Sequence, residues 1–312
     1  MNLTDPIFAD ADKARAHLEK TRWPHGPVCP HCGVVDEATE LKGRAHRAGV
    51  YQCNACRDQF TVTVGTVFER SKVPLNKWLL ATYLMSSSKK GISAHQIGRT
   101  LDVTYKTAWF MCHRIREAMT DRGGTPMGGE GKFVEADETV IGGKEKNKRL
   151  SKRNPKNIGA VGKQVAFTLV ERNGRARSFH VANVTGKTLR PIIVANVDRK
   201  SALMTDDAGQ YRPIGKEFAS HETVNHGIEE YVRGNAHSNT VEGFFSILKR
   251  GINGVYHHVS EAHLSRYLAE LDFRYSNRSG LGVSDTMRTD EALRMIAGKR
   301  LMYRRADEAA YA

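Results

Sequence analysis

Two closely spaced cysteine pairs constrain the fold of this chain more than any other feature. Cys29-Pro-His-Cys32 is followed, after twenty intervening residues, by Cys53-Asn-Ala-Cys56. Each C-x₂-C knuckle folds tightly enough for two thiolates to meet one ion, and two knuckles complete a closed tetrahedral site. The spacing therefore predicts a zinc ribbon that holds one structural Zn²⁺. Two alternatives are accidental spacing of four buried cysteines and replacement of one thiolate by His31.

The charge balance limits the classes of partner. The chain has 312 residues, with 48 Lys and Arg against 34 Asp and Glu, which gives a formal net charge of +14. An excess of this size favours a polyanion such as nucleic acid, or an anionic membrane surface. No apolar run reaches the ~18 residues of a spanning helix, and the N-terminus lacks the apolar core of a signal peptide. We therefore expect a cytoplasmic protein without a membrane partner.

Residue patterning divides the chain into segments. A short amphipathic helix is predicted around Asp10 to Lys20, with Ala14 and Leu18 on one face, and residues 60–68 (FTVTVGTVF) alternate like a strand. Later in the chain, strand-like and helix-like runs alternate, which is typical of an α/β domain. We predict an N-terminal helix and zinc ribbon in 1–68, a helix-turn-helix domain in 70–122, a glycine-rich linker in 123–132, an α/β catalytic domain in 133–285, and a basic C-terminal helix and tail in 286–312.

The second segment has the periodicity of a helix-turn-helix. One stripe carries Ala94, Ile97 and Leu101, a tight turn follows at 102–104, and a further helix runs to about Met119. A preceding helix carries Leu75, Leu79 and Tyr83 at helical spacing, and the last helix is expected to turn Ala108, Met111, Ile115 and Ala118 inward. Cys112 is expected to be a small core residue.

The first turn of the second helix in such a motif meets base edges in DNA. Here that turn carries Tyr105, Lys106 and Thr107. Arg114 and Arg116 lie further along the same helix, where we expect them to touch phosphates. The alternative is an ordinary helical bundle with solvated basic residues.

Three carboxylates stand where a nucleic-acid-cutting metal site needs them. Asp137 lies inside the strand-like run FVEADETVI, Asp206 ends the run SALMTD, and Glu242 opens the probable helix NTVEGFFSILKR. Mg²⁺ and Mn²⁺ prefer oxygen ligands, and two such ions about 3.5–4 Å apart stabilise both oxygens of a phosphodiester displacement. The sequence therefore predicts a two-metal site.

Several neighbours compete for these roles. Alternation in the first run places Glu135 and Asp137 on one strand face and Glu138 on the other, and Asp207 follows Asp206 directly. Glu242 also fits a capping box that begins at Asn239, which needs no metal. Tyr256 offers the nucleophile of a different class of recombinase.

Basic residues flank the predicted metal site. Seven lie between Lys144 and Lys156, in a segment rich in Gly, Asn and Pro that we expect to be a solvated loop gripping phosphates. Ser246 and Lys249 share a helical face with Glu242, and Arg250 is beside them. The predicted phosphate contacts are Lys144, Lys146, Lys148, Arg149, Lys152, Arg153 and Arg250. The alternative is a charge run that is merely solvated.

The motifs in combination resemble a known family. The blocks are CPHCG with CNACRDQFTVTVGTVFE, VEADETVIGGK, TDDAGQY, and HSNTVEGFFSILKRGINGVYHHVSEAHLSRYLAELDFRYSNR. Together they resemble bacterial insertion-sequence DDE transposases that carry an N-terminal zinc ribbon, the group related to eukaryotic Merlin transposons. The resemblance extends from about Trp23 to Arg278.

This resemblance implies an RNase H-like (retroviral-integrase-like) catalytic core, beside a zinc ribbon and an all-α helix-turn-helix domain that read transposon ends. It implies Mg²⁺-dependent strand cleavage and transfer, with Asp137, Asp206 and Glu242 as metal ligands and Lys249 at a basic position that follows the glutamate. Some relatives use asparagine as the third ligand, and Asn239 lies close to Glu242.

The implied partners are double-stranded DNA, as terminal inverted repeats and as target, and further copies of the chain, because two ends must be joined. The implied location is the nucleoid of a bacterium. Two rival functions are a zinc-dependent transcription regulator that binds DNA without catalysis and an RNA-directed nuclease of the same fold.

Overall fold

The chain folds into two compact units. The computed structural model describes residues 1–121, 123–143, 145–155, 161–224 and 232–302. The first unit joins Met1–Thr120 to Gly282–Ala312, and the second is Asp121–Leu281. The described part of the predicted C-terminal segment, residues 286–302, is therefore part of the first unit. Among the described helices, none combines the length and apolar character needed to cross a membrane.

The first unit begins with a capped helix and a small sheet. Helix α1 (Ala11–Arg22) starts after Asp10, whose carboxylate accepts hydrogen bonds from the N–H groups of its first turn. It buries Ala14 and Leu18, as predicted. Strands β1 (Ala38–Glu40), β2 (Tyr51–Cys53) and β3 (Gln59–Phe60) form an antiparallel sheet in that order.

The strand predicted over residues 60–68 is wrong beyond Phe60. The following residues form turns, and Val62, Val67 and Phe68 are buried without a strand. Thr66 makes an isolated bridge to Ala297 instead. Contacts made by the distant C-terminal segment thus override the local β propensity.

The described residues of the first unit also form the helices α2 (Leu75–Ser87), α3 (Ala94–Leu101), α4 (Tyr105–Met119) and α9 (Asp285–Arg294). Residues 102–104 separate α3 from α4, and Asp102 has a left-handed φ of 50° that turns the chain. The hydroxyl of Thr104 accepts from the N–H of Thr107 and caps α4. The four residues of α4 that were predicted to face inward, and Cys112, are buried. Helix α9 packs against α1, α2 and α4.

The second unit is built on a mixed five-stranded sheet. Its strands are β4 (Phe133–Ile141), β5 (Gln164–Glu171), β6 (Ala176–Val181), β7 (Ala202–Asp206) and β8 (Ser220–Val224). The spatial order is β6-β5-β4-β7-β8. The pairs β4–β5 and β5–β6 are antiparallel, whereas β7 runs parallel to both β4 and β8. Strand β4 is therefore central and covered on both faces.

Helices cover each face of this sheet with its own core. Helices α5 (Gly186–Asn196) and α6 (Arg212–Gly215) pack on one face, against Val134 and Ala136 of β4. Helices α7 (Asn239–Gly251) and α8 (Glu261–Ser276) pack on the other, with Phe244 and Leu268 at the centre of that core. Residues Ile252–Tyr256 continue α7 as a short π-helical turn.

The glycine-rich segment predicted as a linker is partly incorporated into the second unit. Met127 is fully buried in the core under α5 and bridges Val197. Gly128 has φ +84°, and a Cβ there would collide with Ser201. Gly128 thus allows a close approach of the backbone to the sheet, beyond supplying flexibility.

Candidate functional site

The four paired cysteines converge in the first unit. The Sγ atoms of Cys29 and Cys56 are 3.7 Å apart, and those of Cys32 and Cys53 are 3.6 Å apart. All four Sγ atoms lie within 4.8 Å of one another. Zn–S bonds of ~2.3 Å in a tetrahedron require Sγ separations of about 3.8 Å, so the cluster fits one zinc ion closely. The exposed His31 is not part of the cluster.

Backbone hydrogen bonding at this cluster favours the thiolate form of Cys53. The backbone N–H of Cys56 donates to Cys53 Sγ at 3.5 Å. That bond is the leading cause of the lowered pKa of Cys53. Because thiolate is the form that zinc binds, this hydrogen bond prepares one of the four ligands for the metal.

In the second unit, strand register places Asp137 beside Asp206. The parallel β4–β7 ladder pairs Phe133 with Ala202 and Glu135 with Met204, a constant offset of 69 positions. The same offset carries Asp137 to Asp206, at the carboxyl end of β7. Aligned residues of neighbouring parallel strands point to the same face. This face is the one covered by α7, because Glu135, two residues before Asp137, contacts the α7 backbone.

Electrostatics connect Glu242 to the same place. The pKa of Asp137 is raised from 3.8 to about 7, chiefly by burial and then by the carboxylates of Glu138, Asp206 and Glu242. Neighbouring negative charges that oppose the ionisation of Asp137 are relieved by a bound cation. The donor set is oxygen throughout, which suits Mg²⁺ or Mn²⁺. Among the described residues, only the four cysteines bring their ligand atoms within 4.8 Å of one another, so the acidic cluster of Asp137, Asp206 and Glu242 is more widely spaced than the thiols.

The two neighbouring carboxylates are differently placed. Glu138 lies on the opposite face of β4, where it accepts a hydrogen bond from the hydroxyl of the buried Tyr211. Asp207 follows the end of β7 in a turn, and the N–H of Ala208 donates to Asp206 Oδ1 at 3.2 Å. The structure therefore brings Asp206, with Asp137, to the face under α7 and leaves Glu138 on the other face.

Glu242 does not close a capping box with Asn239. Helix α7 begins at Asn239 itself, and its N-cap residue, Ser238, makes no side-chain cap bond to the backbone. The hydroxyl of Ser238 instead donates to Glu242 Oε1 at 3.0 Å. Glu242, Lys249 and the adjacent Arg250 are all exposed on α7. These three charged side chains are therefore accessible to solvent.

The residue that caps α7 is Glu135, which the sequence did not predict as a cap. Glu135 Oε2 accepts hydrogen bonds from the N–H groups of Thr240 and Val241 at 2.8 and 2.9 Å. Glu135 also bonds Arg172 Nε at 2.6 Å. Alternation had placed Glu135 on the face of Asp137, but its partners come from distant parts of the chain.

Tyr256 has a structural role in this unit. Its hydroxyl donates to Glu270 Oε1 at 2.8 Å, and Glu270 is fully buried and paired with Arg274 at 3.0 Å. A hydroxyl held in this way fastens the π-helical turn to α8.

The residues expected to meet DNA on α4 separate into two groups. Tyr105 and Lys106 are exposed and Thr107 is half-buried in the first turn, and the Tyr105 ring stacks on His95 at 4.1 Å. Arg114 and Arg116 are only 7% and 2% exposed. The expectation that these two arginines touch phosphates is therefore corrected: they belong to the interior.

A backbone carbonyl and two aromatic rings compensate for the burial of Arg114. Its Nη2 donates to the carbonyl of Glu69 at 2.5 Å, and its guanidinium lies 5.5 Å from the ring centroid of Trp78 and 5.6 Å from that of Phe110. Burial lowers the pKa of Arg114. This arginine thus ties α4 to the segment that follows the zinc ribbon.

The basic segment is exposed, as predicted, but folds on itself. Residues Glu145–Asn147 and Leu150–Lys152 form short 3₁₀ turns. The Arg153 guanidinium donates to the carbonyls of Lys146 and Lys148, and Lys148 also pairs with Glu145 at 2.7 Å. Arg149 and Lys152 are exposed. Lys144 lies outside the described residues.

Comparisons with known proteins match the region of the cysteine cluster and the region of the three carboxylates. A family model described as an ISXO2-like transposase domain matches residues 128–276, which contain the acidic cluster. A transposase zinc-ribbon model matches residues 9–59. An uncharacterized protein in transposable element ISH50 of Halobacterium salinarum is 29% identical over 277 residues, which cover 86% of this chain and 91% of that protein.

Proposed function

We infer from its membership of the ISXO2-like insertion-sequence transposase family that this chain binds the ends of an insertion sequence, cuts the DNA there and joins it to a target. The family resemblance in the motifs is confirmed by the matched models. The reaction begins with hydrolysis of a phosphodiester at the element's end. The freed 3′-OH then attacks the target DNA.

The observation that carries this proposal is the β4–β7 register. It brings together, at the centre of the sheet, the two strands that carry Asp137 and Asp206, and the carboxylate of Glu242 on α7 contributes to the raised pKa of Asp137. The three carboxylates would hold two Mg²⁺ or Mn²⁺ ions. Two such ions stabilise the attacking and the leaving oxygens of an in-line displacement.

The fold supports the same proposal. A mixed sheet with helices on both faces, and with the acidic residues at its centre, is compatible with an RNase H-like core. The short turn between α3 and α4 is compatible with a helix-turn-helix.

The surrounding residues have separate tasks. Lys249 follows Glu242 by two helical turns, about 10 Å along α7, where it would neutralise a phosphate of the bound strand. Tyr105, Lys106 and Thr107 would meet base edges, and the basic segment would grip the backbone. At least two copies of the chain would assemble on DNA, because two ends must be brought together.

The proposal is tested with labelled duplexes that carry the element's ends. We expect wild-type protein to nick them with Mg²⁺, and Asp206→Asn or Glu242→Gln to lose about 10³-fold in rate, the equivalent of several kcal/mol of transition-state stabilisation. Asp207→Asn, next to Asp206, is the matched control and should nick normally.

The rival functions give different results in this assay. A transcription regulator would bind the ends and never nick them. An RNA-directed nuclease would prefer duplexes that contain RNA. Normal nicking by both carboxylate variants would remove the acidic cluster from the mechanism.

A further inference from the structure

The carboxylate of Glu135 is completely buried and unusually well bonded. It is 0% exposed in the sheet beneath α7. Its Oε1 accepts from Arg172 Nε at 2.6 Å and from the Thr240 hydroxyl at 2.8 Å, and its Oε2 accepts from the N–H groups of Thr240 and Val241. Nδ1 of His237 lies 3.2 Å from Oε1. A buried carboxylate is tolerated only with compensation of this kind.

Glu135 thereby does for α7 what an N-cap residue does for other helices. The first N–H groups of a helix have no intrahelical partner and carry the positive end of its dipole. The local N-cap, Ser238, supplies no side-chain cap bond. The acceptor comes from β4 instead, so the cap also attaches the helix to the sheet.

Arg172 fixes the segment that leads into α7. While its Nε bonds Glu135, Nη1 donates to the carbonyl of Asn235 at 2.9 Å and Nη2 to the carbonyl of His237 at 3.0 Å. One guanidinium thus holds the Glu135 carboxylate and the backbone just before the helix. The ion pair of Glu135 and Arg172, together with the cap, therefore fixes the backbone that leads into α7.

The positions of these contacts along the chain are informative. Glu135 is two residues from Asp137 on the same strand face, about 7 Å away. Val241, whose N–H Glu135 accepts, directly precedes Glu242. A single buried side chain therefore joins the strand of one proposed ligand to the helical turn of another.

We propose that Glu135 is a positioning residue of the acidic cluster: through the first turn of α7 it sets the Glu242 carboxylate against Asp137 and Asp206 at the separation that divalent cations require. The proposal rests on the proposed function, because it assumes that the three carboxylates bind the cations. Glu135 itself points into the α7 backbone and is not a ligand. Residues that orient metal ligands change metal affinity or activity by about 10- to 100-fold when they are removed.

The test measures cation binding directly on the full chain with its zinc retained. Mn²⁺ is titrated without DNA, and free Mn²⁺ is followed by electron paramagnetic resonance. For Glu135→Gln, whose amide cannot accept from all four donors, we expect the Mn²⁺ dissociation constant to rise about 10- to 100-fold. Nicking by this variant should recover in part at high Mn²⁺ concentration, with end-DNA affinity unchanged.

Glu270→Gln is the matched control. Glu270 is also a fully buried carboxylate paired with an arginine, but the residues it bonds, Tyr256 and Arg274, belong to the turn after α7 and to α8. We expect it to lower the melting temperature and leave Mn²⁺ affinity as in wild type. If Glu135→Gln does the same, Glu135 is a cap with no positioning role, and the proposal is overturned.

A milder variant tests the same contact with less risk of misfolding. Thr240→Val keeps the shape of the side chain and removes only the hydroxyl that donates to Glu135. It should weaken Mn²⁺ binding less than Glu135→Gln does, and unchanged affinity in both variants would count against the proposal.

Asp206→Asn separates the proposed function from the positioning role of Glu135. If it binds Mn²⁺ like wild type, the proposed function fails; if it loses binding while the Glu135 variants keep theirs, only the positioning role fails.

Discussion

Asp137 occupies a position where its ionisation is opposed from several sides. Burial, Glu138, Asp206 and Glu242 together raise its pKa from 3.8 to about 7. At a pH between 3.8 and about 7, Asp137 is protonated in the folded protein and ionised in the unfolded chain. Without a divalent cation at the cluster, stability therefore falls as the pH rises from about 4 to 7, and the contribution is gone above that window.

Asp137→Asn should remove this pH dependence. The amide keeps the oxygen that accepts from the Glu138 N–H and carries no charge. We expect it to leave stability unchanged below about pH 4 and to raise it by at most about 4 kcal/mol above pH 7. Urea unfolding at several pH values, followed by far-UV circular dichroism with only zinc bound, measures the effect. Asp207→Asn is the control, and parallel curves for wild type and Asp137→Asn would contradict the expectation.

The fifth cysteine provides a control for the zinc site. Cys53→Ser removes one of four thiolates, so we expect loss of zinc and of several kcal/mol of stability in the first unit. Cys112→Ala alters a buried cysteine of the same unit outside the cluster and should retain zinc. Zinc per chain is measured by elemental analysis after gel filtration. Full zinc content in Cys53→Ser would exclude the four-thiolate site.

At the scale of elements, α4 has a buried side and an exposed first turn that should respond differently. Arg114→Ala removes a buried guanidinium bonded to the Glu69 carbonyl, so we expect about 2–4 kcal/mol of destabilisation with an unchanged salt dependence of DNA binding. Lys106→Ala should change stability by less than about 0.5 kcal/mol and affect DNA binding alone. Melting curves and binding at several salt concentrations separate the two. A reduced salt slope for Arg114→Ala would show that it contacts DNA.

The exposed basic segment should act on DNA without sequence preference. Changing Lys146, Arg149 and Lys152 to Gln should weaken binding to all duplexes. The slope of log affinity against log salt should fall by about 0.9 for each phosphate that the variant no longer neutralises. An unchanged slope would mean that the segment is only solvated charge.

Local pattern predicted some elements and missed others for identifiable reasons. The inward face of α4 and the cysteine cluster follow from periodicity and spacing, because both are set within a few residues. The burial of Arg114 depends on the carbonyl of Glu69, and the cap of α7 depends on Glu135, more than one hundred positions away. Partners that distant leave no short-range signal, so the sequence offered a capping box at Asn239 instead.

The same limit applies to the acidic cluster. The residue types and the strands and helix that carry them were readable, and alternation put Asp137 and Glu138 on opposite faces of the strand. The sequence did not reveal the register between β4 and β7. Continued by two residues, that register aligns Asp137 with Asp206. Register is set by core packing on both faces of the sheet.

At the scale of the whole molecule, the chain leaves the first unit at residue 120 and returns to it at 282. The returning segment supplies buried cations to helix ends. Arg288 Nη1 donates to the carbonyl of Ser86 at the end of α2, and Lys299 Nζ donates to the carbonyls of Ala118 and Thr120 at the end of α4. Positive groups at these ends also oppose the negative pole of each helix dipole.

Removal of residues 282–312 should therefore unfold the first unit. The buried side chains of Leu293 and Ile296 contribute about 1.5–3 kcal/mol each, and each cap bond about 1 kcal/mol, against a typical domain stability of 5–15 kcal/mol. All three tryptophans of the chain, Trp23, Trp78 and Trp109, lie in this unit, so their fluorescence reports on it alone. We expect a chain ending at Leu281 to show red-shifted emission and no cooperative urea transition by tryptophan fluorescence. A chain that ends at Met302 keeps α9 and Lys299 and should unfold like the full-length protein; equal urea midpoints for the two truncations would show that the first unit is stable without its C-terminal segment.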